Sequence, residues 1–253
     1  MSESSENKSF WDHLEDLRGS LIRILVSVIV FSVLAFCFKD LLFRVVLAPK
    51  SSTFFMYRIL GGGEFSLNLI NTGLTEQFVI HMKTAFAFGV LLASPYIIKV
   101  LFDFIRPALY ENERKHSVSL VVVAYVMFLI GIAVNYLFVF PLTVRFLGTY
   151  QVSEQVSNML TLQSYMDTLL MMSMIFGILF EIPVLSWLLA RFGLLKAEWM
   201  TRYRRHAIVA ILILAAIITP TGDAFTLFIV SLPIWLLYEL SVLVVKRVNG
   251  LEG

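Results

Sequence analysis

One carboxylate, Glu181, lies within an apolar run that extends from Leu169 to Ala190 and holds no other charge. A charged side chain near the centre of a membrane-spanning helix costs on the order of 2.5 to 3.5 kcal/mol on insertion scales. Two interpretations are open for this residue. It is either hydrogen-bonded to a neighbouring helix, or it is a polar contact for a substrate, a partner helix or a proton.

A second group of carboxylates borders the apolar runs. The segment "HLEDLR" carries Glu15 and Asp16 just before the first run, and "FIRPALYENERKH" carries Glu113 after the second. Carboxylates on an otherwise basic, membrane-proximal surface suit a cationic ligand, above all guanidinium groups that form forked hydrogen bonds. The alternative is helix capping and local salt bridges, in which Asp16 pairs with Arg18 and Glu113 with neighbouring basic residues.

The elements that must position these acids are membrane-spanning helices. Of the 253 residues, 58% are hydrophobic and only 15% are charged, which is too apolar for a soluble domain. A span needs roughly 20 mostly apolar residues, and the fifth run is shorter than that. The sequence therefore predicts an all-α integral membrane protein that forms a single polytopic domain over residues 1–253. The predicted spans are approximately 20–38, 82–102, 118–141, 166–190, 206–219 and 225–245.

The distribution of lysine and arginine predicts the orientation. With the amino terminus inside, fourteen of the twenty basic residues fall on inner segments, which favours cytosolic positions for both termini. The first twenty residues are acidic and have no apolar core, so we expect no cleavable signal peptide. The first outer loop, about residues 39–81, is half apolar, and we expect short elements lying on the outer face.

The residue inventory argues against several other chemistries. The single cysteine, Cys37, excludes an intramolecular disulfide, and the four histidines are scattered over different segments, so we expect no metal site. The sequence has no glycine-rich phosphate-binding loop that would indicate nucleotide hydrolysis. We expect no cofactor and no nucleic-acid partner.

Small and polar residues recur at intervals of four along three spans, and such stripes predict faces that pack against protein. The sets are Ser173, Gly177 and Glu181 in the fourth span, Ala85, Gly89 and Ala93 in the second, and Gly131 and Asn135 in the third. Prolines in or near spans remove backbone hydrogen bonds and tend to kink helices. They are Pro95, Pro183 and Pro233. These features predict bent helices around a concave face.

Several motifs in this order are typical of one family. They are "FWDHLEDLR" at the amino terminus, "APK" around Pro49, "TEQFVIHMKTAF", "FIRPALYENER", "FGILFEIPV", "ITPTGDAF" and "LPIWLLYELS". Together, and spaced around six hydrophobic runs, they resemble the TatC family, the polytopic core of the twin-arginine (Sec-independent) protein translocase. The resemblance covers nearly the whole chain.

The resemblance implies a receptor for signal peptides that bear two consecutive arginines on folded cargo. It assigns recognition to Asp16 and to Glu113, the glutamate of "NER". The family usually has glutamate where this chain has Asp16, so neighbouring Glu15 is expected to share the role. The wider set of signal-peptide contacts predicted on this basis adds Arg18, Phe104 and Pro107.

The resemblance also implies a glove-like arrangement in which Glu181 lies on the concave face, where single-span TatA and TatB subunits pack. Asp223 and Pro49 complete the predicted set of intramembrane and partner contacts. The family often has glutamine where this chain has Leu227, which leaves Asp223 as the polar candidate at that edge. The expected setting is an oligomeric complex in the bacterial cytoplasmic membrane, with both termini cytosolic and the proton motive force as energy source.

Two other classes compete with a receptor. A proton-coupled secondary transporter would account for a buried carboxylate and proline-broken helices, but the chain shows no internal repeat and only one deeply buried acid. An intramembrane protease is suggested only by "TGD" at residues 221–223, and the sequence lacks a second mid-membrane aspartate or an "HExxH" motif. The sequence therefore predicts a receptor and not an enzyme, with the transporter as the alternative.

Overall fold

A computed structural model describes residues 10–59, 67–105, 117–150, 153, 159–219 and 223–250. This part of the chain consists mainly of helices and also contains two strands of two residues each. The helices are α1 (Phe10–Phe36), α2 (Lys39–Val46), α3 (Phe55–Ile59), α4 (Glu76–Ile105), α5 (Ser117–Val134), α6 (Phe140–Thr149), α7 (Leu162–Leu179), α8 (Ile182–Arg191), α9 (Ala197–Arg202), α10 (Arg204–Ile218) and α11 (Ala224–Asn249). The strands are β1 (Leu69–Ile70) and β2 (Leu160–Thr161), which pair in parallel.

In the part of the chain that is described, five helical stretches are long and apolar enough to cross a membrane. They are Leu14–Phe36, Glu76–Phe104, Val118–Thr149, Leu162–Arg191 and Ala224–Asn249. The predicted span 206–219 falls on α10, which has 15 residues and is therefore about 22 Å long. A helix of that length is shorter than a typical bilayer core. The helical membrane class is confirmed, whereas six spans and the orientation of the termini stay predictions.

The chain divides into two compact units. The first unit holds α1, α4 from Ala85 onward, and the start of α5; the second holds the remaining described elements. Within the first unit, α4 approaches α1 at Gly89, where an added Cβ would lie 2.7 Å from the Cα of Ser32. The small-residue spacing in the second predicted span therefore marks a close helix contact, and Ala85 and Ala93 on the same stripe are buried as well.

In the second unit, short elements follow α2, as expected for the first outer loop. A 3-10 turn spans Ala48–Lys50, and α3 and β1 come after it. Three tyrosine hydroxyls bind the backbone at the end of α2 and in the 3-10 turn. Tyr136 donates to Val45 O at 2.7 Å. Tyr165 donates to Val46 O at 3.0 Å, and Tyr57 donates to Pro49 O at 2.9 Å.

The third predicted span is interrupted by a π-helical turn at Asn135–Val139, between α5 and α6. Pro141 is at the second position of α6, and its ring has no N–H for the carbonyl four residues earlier and would clash with it in a regular α-helix. A wider turn relieves this conflict, and π-helical turns of this kind are frequent at functional sites.

Helices α5 and α7 pack closely where each carries a glycine. A Cβ added to Gly131 would contact the carbonyl oxygen of Phe176 and lie 2.9 Å from the Cβ of Phe180. A Cβ added to Gly177 would lie 2.6 Å from the ring of Phe128. The polar stripe predicted on the fourth span thus faces protein at Gly177, because any added Cβ would require the Phe128 ring to move.

Proline acts differently at the three predicted kinks. Helices α4 and α11 continue through Pro95 and Pro233. The fourth span is instead interrupted at Phe180 and Glu181, and Pro183 is at the second position of the helix that resumes. Helix α8 ends at Arg191, and Gly193 follows it with a φ of 70°, the left-handed conformation that favours glycine after a helix.

Candidate functional site

The predicted recognition acids that the structure describes lie on the first turns of α1. Glu15, Asp16 and Arg18 all belong to this helix, and all three side chains are exposed. Two carboxylates and one guanidinium therefore stand at the start of the stretch Leu14–Phe36. A carboxylate has two acceptor oxygens, which match the paired N–H groups of an arginine.

The other half of the predicted recognition site is largely outside the described residues. Glu113 and Pro107 both lie there. Phe104 is described, on the last turn of α4, where 36% of its side chain is exposed. The convergence of Asp16 and Glu113 on one ligand stays a prediction.

Glu181 lies at the break between α7 and α8. Its backbone takes part in the turn, with Glu181 N donating to Ile178 O at 3.1 Å and Leu185 N donating to Glu181 O at 2.9 Å. The side chain is half-buried, and its Oε1 is buried with no hydrogen-bond partner among the described residues. A carboxylate oxygen in this state is able to accept a hydrogen bond from a group that this chain does not supply.

An apolar groove of about 450 Å³ adjoins the break. Phe180, the neighbour of Glu181, lines it together with residues of α5, the π-helical turn, α6 and α11. Phe228, Leu232 and Leu236 of α11 form much of one wall. Glu181 is thus next to a surface that is otherwise hydrocarbon.

Asp223 and Pro49 have structural roles in the second unit. The Asp223 carboxylate caps α11 by accepting a hydrogen bond from Thr226 N at 2.7 Å, which stabilises the first turn of that helix. Pro49 is buried in its 3-10 turn and accepts the Tyr57 hydroxyl through its carbonyl. Contact of either residue with a partner subunit stays a prediction.

Two interhelical ion pairs were not predicted from the sequence. Lys83 of α4 and Asp167 of α7 lie 2.7 Å apart, with 44% and 40% of their side chains exposed. Arg204 at the start of α10 and Glu239 of α11 lie 2.7 Å apart. Spacing along the sequence gives no signal for pairs separated by 84 and 35 residues.

Glu76 is a third polar feature that the sequence alone did not reveal. Its Oε2 accepts from the backbone N–H groups of Thr72 at 3.0 Å and Gly73 at 2.8 Å, and its Oε1 accepts from Gln163 N at 2.9 Å. The carboxylate therefore joins the turn before α4 to the start of α7. The position of an acid at a helix start, after "NTG", is the one signal that could have indicated a cap.

The fold and these sites define a class, a polytopic helical membrane protein with polar groups placed at helix breaks and span ends. A family model described as Sec-independent protein translocase protein (TatC) matches residues 12–233. The chain belongs to the TatC family, which confirms the resemblance found in its motifs.

Individual relatives agree with this assignment. The Sec-independent protein translocase proteins TatC of Desulforapulum autotrophicum and Deinococcus radiodurans are 32% and 34% identical to this chain, over 96% and 94% of it and 86% and 85% of their own lengths. TatCy of Bacillus subtilis is 29% identical over 94% of this chain and 89% of its own. A crystal structure described as the twin arginine translocase receptor TatC superposes with a TM-score of 0.79 at 29% identity, covering 94% of this chain and 99% of that one.

Proposed function

We propose that this protein is the signal-peptide receptor of a twin-arginine translocase in a bacterial cytoplasmic membrane. The observation that carries the proposal is the exposure of Glu15 and Asp16 at the start of the first span of a TatC-family chain. The similar crystal structure is described as a translocase receptor, which supports the same role here. The protein acts by binding and assembly, and not by catalysis.

Recognition follows from the geometry of guanidinium and carboxylate groups. Asp16 and Glu113 hold the two arginines of the signal peptide, and Glu15 provides a neighbouring carboxylate. Each guanidinium donates two parallel hydrogen bonds to a carboxylate, whereas lysine offers the same charge without the fork. The peptide is therefore selected by donor geometry in addition to charge. Arg18, Phe104 and Pro107 border this site.

The second step takes place at Glu181. The apolar part of the signal peptide inserts along the predicted concave face, and single-span TatA and TatB-type subunits pack near the break between α7 and α8. Oε1 of Glu181, buried without a partner in the described chain, accepts a hydrogen bond from a polar group of a partner helix. Asp223 and Pro49 contribute to the same assembly at the predicted outer end, and the proton motive force supplies the energy.

The proposal is tested by the affinity of the purified full-length protein for a signal peptide with its arginine pair intact and with both arginines changed to lysine. Hydrogen bonds to charged groups contribute about 1.5 to 3 kcal/mol, so Glu113→Ala should weaken binding of the arginine peptide by about tenfold to a hundredfold. Asp16→Ala, alone and combined with Glu15→Ala, tests the other carboxylates.

Glu198→Ala is the matched control, because Glu198 is an exposed acid of α9 outside the proposed site. Its affinity should equal that of the unmodified protein. Equal affinity for the arginine and lysine peptides, unchanged by Glu113→Ala, would contradict the receptor assignment.

A further inference from the structure

A second cavity, of about 460 Å³, lies in the second unit where α2, α4 and α7 meet. Its lining combines polar and apolar side chains. The polar members are Lys39 at the start of α2, and Gln77 and His81 on the first turns of α4. The apolar members are Phe43, Leu47, Phe78 and Leu162.

The polar wall has the composition of an anion site. It contains an ammonium, a carboxamide and an imidazole, and no carboxylate is among the lining residues. Glu76, next to Gln77 in the chain, points its carboxylate instead at the backbone of Thr72, Gly73 and Gln163. An acceptor-rich ligand with negative charge therefore complements this wall.

Lys39 is the cation that a ligand in this cavity would meet. Lys83, further along α4, does not line the cavity and is in contact with Asp167 at 2.7 Å. Lys39 is exposed, and the imidazole of His81 packs edge-on against Phe43, with 5.8 Å between ring centroids. The charge thus lies at the mouth of a cavity that has an aromatic wall.

The cavity is located at the end of membrane-spanning helices. The chain leaves the stretch Leu14–Phe36 two residues before α2 begins and enters the next stretch at Glu76. Gln77 and His81 are one helical turn apart, so the polar wall covers about 6 Å along α4. The headgroup region borders the ends of membrane spans, so a polar wall at the start of α4 suits a headgroup.

The short helix α2 has the pattern of an element that lies along a membrane surface. Leu42 and Val46 are buried against the protein, whereas Phe38 and Leu41 are 55% and 58% exposed. Exposed apolar side chains beside a basic residue are typical of helices in the interfacial plane. This pattern favours lipid as the surroundings of the cavity beside α2.

We propose that this cavity binds the headgroup of an anionic membrane phospholipid in the leaflet predicted to face outward. Lys39 and Gln77 contact the phosphate, and an acyl chain lies against Phe78 and Leu47. The site is separate from signal-peptide recognition, which involves residues of the first unit. A lipid bound here holds α2 against the starts of α4 and α7.

The test uses native mass spectrometry of the full chain, delipidated in detergent and titrated with phosphatidylglycerol or phosphatidylcholine. One lysine near an anionic membrane surface changes binding by about fivefold, so Lys39→Ala should lower the affinity for phosphatidylglycerol by about that factor. Gln77→Leu, at an exposed position, should lower it as well without removing a charge. Lys50→Ala is the matched control, because Lys50 is exposed on the neighbouring 3-10 turn and does not line the cavity.

The outcomes separate the possible sources of the phosphate. A preference for phosphatidylglycerol over phosphatidylcholine that is reduced in Lys39→Ala and kept in Lys50→Ala supports the proposal, together with weaker binding of phosphatidylglycerol by Gln77→Leu. Displacement of the bound lipid by millimolar inorganic phosphate would identify a free-phosphate site and overturn it. Equal binding of both lipids, or the same loss in all three variants, would overturn it too. Unfolding temperatures of the delipidated variants show whether each one is folded.

Discussion

The side-chain amide of Asn135 donates a hydrogen bond to the hydroxyl of Ser173, with 2.9 Å between Nδ2 and Oγ. Both side chains are buried, and the bond joins the π-helical turn to α7. Two elements of the second unit are thereby fixed in register at a depth where water does not compete for the donor. The same two spans also approach closely at Gly131 of α5 and at Gly177 of α7.

Removing this bond should destabilise the protein modestly. Interhelical hydrogen bonds in membranes contribute about 0.6 kcal/mol on average and up to about 1.7, so Asn135→Ala and Ser173→Ala should each lower the unfolding free energy by roughly that amount. Because both substitutions break the same bond, the double variant should lose less than the sum. The measurement is a double-mutant cycle, in which the unfolding free energies of the four proteins are compared in mixed detergent micelles. Strictly additive losses would show that the bond contributes nothing.

Removing one member of the ion pair between Lys83 and Asp167 should destabilise the protein more than removing both. Asp167→Ala leaves an ammonium group without its partner inside a spanning stretch, and we expect a loss of about 1 to 3 kcal/mol, between the values for exposed and buried pairs. The double variant Lys83→Ala with Asp167→Ala should be more stable than Asp167→Ala alone. Chemical unfolding of the three variants decides this, and a double variant less stable than either single one would contradict it.

Gly89 should tolerate no side chain. A Cβ at this position would meet the backbone of Ser32, so Gly89→Ala should separate α1 from α4 and lower the unfolding free energy by about 1 to 3 kcal/mol. Gly19→Ala is the control, since nothing lies within 4 Å of a Cβ there, and it should be neutral or slightly stabilising. Equal effects of the two substitutions on thermal unfolding would argue against close contact at Gly89.

Tyr57 should make the free energy of unfolding fall at alkaline pH. Burial raises the pKa of its phenol above the ordinary value of 10.0, so the unfolded chain releases this proton at lower pH than the folded one. The stabilisation is complete below the unfolded pKa and is lost as pH rises above it. The unfolding free energy should therefore fall above about pH 10 more steeply in the unmodified protein than in Tyr57→Phe, as denaturant titrations at several pH values would reveal.

The same substitution should have an effect at neutral pH. Tyr57→Phe removes a hydroxyl placed 2.9 Å from Pro49 O and 3.2 Å from Pro141 O, and the expected loss is about 1 kcal/mol. Identical pH profiles for both proteins would mean that the phenol is accessible to solvent.

Glu181 is predicted to act in assembly rather than in docking. Glu181→Ala should leave the affinity for a twin-arginine peptide near normal and reduce the recovery of TatA and TatB-type subunits with the purified complex. Glu181→Gln, which keeps a hydrogen-bonding side chain of the same size, should retain more of the partner than Glu181→Ala does. Loss of peptide affinity with intact co-purification would move this residue to the recognition site.

The sequence predicts those features that depend on local composition. The apolar runs predict the helices, and the spacing of small residues predicts the contact at Gly89. The break between α7 and α8 is less predictable. Pro95, Pro183 and Pro233 all lie in apolar runs, yet of these three only Pro183 follows an interruption of its helix. What differs is tertiary packing, which a single sequence does not display.

Features that depend on long-range pairing are the ones that sequence reasoning missed. The π-helical turn arises from the clash of Pro141 with the preceding turn, and Asn135 at its start finds its partner 38 residues later. Glu76 reaches Gln163 across 87 residues. Glu181 and Asp16 are identified in the sequence by their charge in apolar or membrane-proximal surroundings, and their functional roles stay predictions.

Three tyrosine hydroxyls bind carbonyl oxygens at the end of α2 and in the 3-10 turn that follows it, those of Val45, Val46 and Pro49. A carbonyl is the same acceptor whatever side chain its residue carries. Val45, which is 38% exposed, can therefore be exchanged for other residues over evolution without losing its anchor, whereas Val46 is buried and limited to side chains that fit. Each tyrosine has no substitute that keeps both ring and hydroxyl. Mutational tolerance should be higher at Val45 than at Tyr136, which binds its carbonyl.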